Sequence, residues 1–138
     1  MIAQILQILA SAALAFGAWM GLYAMLKPQW ISKTVGLKPR EGHSEAPSEF
    51  RGTLGGLFFF SHLVTLILLW RLDPMSAPII TVPLCAAWGG AGIGRLISIF
   101  RDAGCNTRQN WIWVAFEWGL ALAIGAPFLQ FCFVIYTA

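Results

Sequence analysis

The sequence predicts an all-α membrane protein, a four-transmembrane-helix bundle with both termini on the non-cytoplasmic side. Three observations lead there. The composition is 58% hydrophobic and 11% charged, against about 25% charged in a soluble domain. Four apolar runs, near residues 2–26, 53–70, 77–100 and 111–136, are long enough to cross a bilayer core. The basic residues gather in two of the three connections, as topology requires. At 138 residues the chain is read as a single transmembrane domain, residues 1–138. Its net charge of +3 is explained by those connections and by anionic headgroups, so nucleic acid is not an expected partner.

The first run, Ile2 to Leu26, contains Ala10-Ser11-Ala12, which resembles a signal-peptide cleavage site. No Lys or Arg precedes the run and it continues well past that site, so a retained helix is expected. Gly17 and Gly21 have the GxxxG spacing that lets a second helix approach closely. Lys27 to Arg51 is the extended polar segment, with Lys27, Lys33, Lys38, Arg40 and Arg51 beside Glu41, Glu45 and Glu49. Pro28, Pro39, Pro47, Gly36 and Gly42 argue against a continuous helix there. Trp30, Ile31, Val35 and Leu37 place its first half along the interface, a depth that Trp favours.

The second run opens with Gly52 and Gly56, again GxxxG, and carries His62. An intramembrane His is either hydrogen-bonded to a carbonyl within the bundle or part of a proton relay; the first is the expectation. Two prolines, Pro74 and Pro78, separate this run from the third. Gly89, Gly90, Gly92 and Gly94 leave a groove on the third helix, for close packing or for a ligand. The fourth run opens with Trp111, Trp113 and Trp118, read as an aromatic belt, and closes with Tyr136 at the other interface.

With four spans the first and third connections share a side. That side carries Lys27, Lys33, Lys38, Arg40, Arg51, Arg101 and Arg108, and the opposite side has Arg71. The positive-inside rule therefore puts both basic connections in the cytoplasm. Arg95 then lies five residues, about 7.5 Å, inside the third helix, and Glu117 six residues, about 9 Å, inside the fourth. Antiparallel neighbours joined by a short connection would bring the two together. Asp102 is seven residues from Arg95 and thus on the same helical stripe, and Glu49 and Arg51 stand at the mouth of the second helix. Glu49, Arg51, Arg95, Asp102 and Glu117 are the candidate buried charge network or polar pocket, because charges buried in lipid need opposite partners. The bland reading is a network that fixes helix order, with Arg95 snorkelling toward water. The functional reading is a pocket for an acidic headgroup, a quinone or a proton.

The chain resembles a family of uncharacterised small four-helix bacterial membrane proteins, related to the DoxX-like group. The resemblance rests on Glu49-x-Arg51-Gly52-x-x-Gly55-Gly56, on Gly94-Arg95-x-x-Ser98 followed by Asp102-x-Gly104, and on Glu117. It departs at Leu54, where the family pattern carries an aromatic. The resemblance implies a multi-pass protein of a bacterial cytoplasmic membrane, and no catalytic residue.

Cys85, Cys105 and Cys132 show no CxxC or Cys/His spacing, so neither disulfides nor a metal site is indicated. No cofactor is expected; haem between His62 and the loop residue His43 is disfavoured. The leading expectation is a membrane-embedded accessory protein or a lipid- or quinone-binding protein, partnered by the bilayer and by a hydrophobic small molecule or a larger membrane complex. A membrane enzyme using Glu117 or His62 as acid or base with Arg95 stabilising an anion is the alternative. A small transporter or channel is the second alternative, and at this size it requires a homo-oligomer.

Overall fold

The computed structural model describes residues 1–37 and 45–137. Lys38, Pro39, Arg40, Glu41, Gly42 and His43, all read above from the sequence, lie outside the described residues. Helix α1 covers Ile2–Leu26, α2 Pro28–Val35, α3 Ala46–Glu49, α4 Phe58–Arg71, α5 Val82–Arg101 and α6 Arg108–Thr137. A π-helical segment, Phe50–Leu57, joins α3 to α4, and a 3₁₀ turn, Ile79–Thr81, leads into α5. Four stretches are long and apolar enough to cross a membrane: Ile2–Leu26, Pro47–Arg71, Ile79–Arg101 and Arg108–Tyr136. They expose large side chains such as Ile5, Phe60, Ile93 and Phe133, the distribution expected of helices whose solvent is lipid.

Prolines and glycines set the boundaries. Lys27 leaves the helical region at φ −129°, ψ 75°, because the ring of Pro28 disfavours α geometry in the residue before it. Pro28 then opens α2 at a position where no N–H is needed. Gly36, at φ 73°, closes α2, and the N–H groups of Gly36 and Leu37 return to the carbonyls of Lys33 and Ser32. The second crossing stretch starts at Pro47 rather than at Thr53. Pro47 lies in the first turn of α3, so it begins that helix instead of interrupting it.

The chain forms two compact units, Met1–Ala13 with Leu68–Ala138, and Leu14–Ile67. In the second unit, α1 approaches the π-helical segment and α4 at glycines. A Cβ on Gly21 would stand 2.8 Å from the Gly55 carbonyl oxygen, and one on Gly55 would stand 2.9 Å from the Met25 nitrogen. Gly52 meets nothing within 4 Å. The close approach on this side is made by Gly55, while a Cβ on Gly56 would stand 3.8 Å from Met25 Sδ.

In the first unit, α5 and α6 run antiparallel. The pairing is read from Gly125 against Cys85, Ala121 against Gly89 and Arg95 against Glu117, positions that rise on one helix as they fall on the other. Trp88, Gly92 and Ile99 form the buried stripe of α5, and Val114, Glu117, Ala121 and Ile124 that of α6. The Trp118 indole occupies the space a side chain on Gly92 would take, and its Nε1 lies 3.4 Å from the Gly89 carbonyl oxygen. Part of the glycine groove is thus filled by an indole, while Gly90 and Gly94 meet nothing within 4 Å. The start of α1 is tied to the end of α4 by Gln7 Nε2 donating to the Leu69 carbonyl at 3.0 Å and by Trp70 Nε1 donating to Ser11 Oγ at 2.8 Å.

Candidate functional site

Arg95 shares a helical stripe with Trp88, Gly92 and Ile99, at spacings of four, three and four residues. The stripe that buries those three residues also turns Arg95 toward α6. On α6 the facing positions are Asn110, Trp113 and Glu117, three and four residues apart. Arg95 Nη2 donates to Glu117 Oε1 at 2.7 Å, and Nε lies 3.2 Å from each carboxylate oxygen. The arrangement is the two-pronged guanidinium–carboxylate geometry that gives an ion pair direction as well as charge.

Two further residues complete the surroundings of Arg95. Nη1 lies 3.4 Å from Asn110 Oδ1, and Asn110 Nδ2 donates to the Cys105 carbonyl at 2.7 Å. A guanidinium only donates and a carbonyl only accepts, so this pair of partners fixes which way the amide points. The Arg95 guanidinium carbon also stands 5.9 Å from the Trp113 ring centroid, within cation–π range. The sequence pattern marks Trp113 only as a member of an aromatic belt and does not mark Asn110. Their signal was their spacing from Glu117, which puts all three on one face of α6.

Burial is unequal across the pair. The Glu117 side chain is 7% exposed and that of Arg95 is 34% exposed. The Glu117 carboxylate is thus almost enclosed, whereas a third of the Arg95 side chain stays exposed while its head pairs with the carboxylate. A carboxylate in such a place is tolerated because a cation and hydrogen bonds satisfy it. Of the five N–H groups of Arg95, two take no partner among the described residues.

The remaining predicted site residues, Glu49, Arg51 and Asp102, are exposed. Asp102 is exposed and leaves the helix, with φ −100° and ψ 129°; the stripe that would have brought it to Arg95 ends with α5 at Arg101. Among the described residues, Arg95–Glu117 is the ion pair within 4.0 Å. Glu49 and Arg51 are exposed members of the other unit. The Arg51 guanidinium donates to the Met25 carbonyl one residue before the end of α1, so a cation sits where the helix dipole is negative.

His62 is 1% exposed, and its Nδ1 lies 2.7 Å from the Phe58 carbonyl oxygen. Since that carbonyl can only accept, Nδ1 carries the proton. The ring edge occupies the space beside Gly17 that any larger residue there would fill. No group of three His, Cys, Asp or Glu residues able to hold a metal ion occurs among the described residues.

The sequence pattern of the family described as a domain of unknown function, DUF4345, matches residues 5–126. No curated protein and no solved structure matches the chain.

Proposed function

The chain belongs to the DUF4345 family of domains of unknown function, and we propose that it acts as a membrane-embedded accessory protein whose Arg95–Glu117 pair fastens α5 to α6. In this reading the four apolar stretches cross a bacterial cytoplasmic membrane as one four-helix bundle of the DoxX-like kind. The basic connections lie in the cytoplasm and both termini outside. The observation that carries the reading is that the Glu117 carboxylate engages both Nε and Nη2 of Arg95 while almost wholly buried. A guanidinium so engaged holds two helices in register. It offers little to an incoming anion.

A second reading, a lipid- or quinone-binding protein, is favoured by the partial exposure of the Arg95 side chain and by the Trp113 ring 5.9 Å from its guanidinium carbon. Native mass spectrometry of protein gently extracted from its own membrane separates the two, with wild type compared to Glu117→Gln. Co-extracted partner polypeptides with no discrete small-molecule adduct support the accessory role. An adduct present in wild type and lost in the variant would replace it with the binding role.

A further inference from the structure

Within the unit Leu14–Ile67, the junction of α1 and α2 gathers positive charge and aromatic rings. Trp19, Tyr23 and Trp30 form a chain, with ring centroids 5.8 Å apart for Trp19–Tyr23 and 4.9 Å for Tyr23–Trp30. Lys27 Nζ stands 5.4 Å from the Tyr23 ring centroid. The Arg51 guanidinium is anchored on the Met25 carbonyl, two residues from Lys27, and Lys33 is exposed on α2.

Helix α2 is built for a surface. It buries Pro28 and Ile31 and exposes Gln29 and Lys33, the division of a short helix that lies in an interface plane. It cannot continue α1, because the backbone breaks at Lys27. Lys27, Lys33 and Arg51 all belong to the unit Leu14–Ile67, and none of them makes an ion pair with a carboxylate among the described residues. Tryptophan and tyrosine mark headgroup depth, and cations left without counter-ions at that depth are satisfied by anionic lipid.

We infer that the α1–α2 junction is a binding surface for anionic phospholipid, with Lys27, Lys33 and Arg51 contacting the headgroup phosphates and Trp19, Tyr23 and Trp30 setting the depth. The inference rests on α1 crossing the membrane and is independent of the role given to Arg95 and Glu117.

The test is native mass spectrometry of the full chain released from nanodiscs containing equal phosphatidylglycerol and phosphatidylcholine. Wild type should retain phosphatidylglycerol preferentially. Each of Lys27→Gln and Lys33→Gln should lower that preference about fivefold, the worth of one basic residue near an anionic surface. Lys27→Arg with Lys33→Arg should keep it, and Arg71→Gln, at the far end of α4, should leave it unchanged. Circular dichroism of each variant separates lost lipid from lost fold. No preference in wild type, an unchanged preference in folded Lys27→Gln with Lys33→Gln, or an equal loss in Arg71→Gln would each overturn the inference.

Discussion

Arg95 and Glu117 meet at 2.7 Å with unequal exposure, the acid at 7% and the base at 34%. Removing either partner should therefore have unequal consequences. Arg95→Leu strands a nearly enclosed carboxylate, whereas Glu117→Leu leaves a partly exposed arginine with a long, flexible stem. Breaking a fully buried pair costs about 3–5 kcal/mol. With Arg95 partly exposed, about 2–3 kcal/mol is expected for Arg95→Leu and about 1 kcal/mol for Glu117→Leu. Thermal unfolding in mild detergent checks the order; equal losses would contradict it.

The glycines divide into those that must be glycine and those that need not be. Gly21→Ala pushes a methyl group toward the Gly55 carbonyl and the Phe59 backbone, while Gly52→Ala and Gly94→Ala enter open space. The first should cost about 1–3 kcal/mol, as overpacking does, and the other two should change the melting temperature little. A destabilisation at Gly52 as large as that at Gly21 would show that α1 packs differently.

Gly17 and His62 should be energetically coupled, because the imidazole occupies the space beside the glycine. Gly17→Ala should destabilise the wild-type background and be better tolerated with His62→Ala. A double-mutant cycle should return a coupling of about 1–2 kcal/mol. Additive effects would mean that the ring does not fill that space.

Asp73, in the connection before α5, accepts hydrogen bonds from the Ser76 side chain and from the Ser76 and Met75 N–H groups, and these hold its carboxyl below the ordinary aspartate range. A depressed pKa adds stability above the unfolded value and loses it as pH falls through the folded value. Amide protection at Met75 and Ser76, taken as the exchange rate relative to that of an unstructured peptide at the same pH, should therefore fall in acid. In Asp73→Ala protection at both amides should be low at every pH and show no such step.

How much of this was legible in the sequence differs from residue to residue. The approach of Arg95 to Glu117 follows from matched depths and a short connection, which need only helical rise and antiparallel neighbours. Asn110 and Trp113 sit on the same stripe as Glu117, but polar and aromatic residues near a helix end read first as loop and interface. Trp118, a member of the expected belt, is exposed and also occupies the space beside Gly92, a contact that composition cannot assign to one indole. Asp102 shows the limit of stripe arithmetic, which holds only while the helix continues, and α5 ends at Arg101. The π-helical turns at Phe50–Leu57 left no periodic signal in a segment whose three glycines suit several windings.

The most direct measurement of the fastening role of Arg95–Glu117 is the thermal stability of the charge-swapped protein, Arg95→Glu with Glu117→Arg, beside the two single reversals. Each single reversal places like charges together in a poorly solvated site and should prevent stable folding or lower the melting temperature sharply. The swap should recover most of the loss, because opposite charges face each other again between α5 and α6. A swapped protein no more stable than the single reversals would contradict the account, since the pair would then serve something other than holding the two helices together.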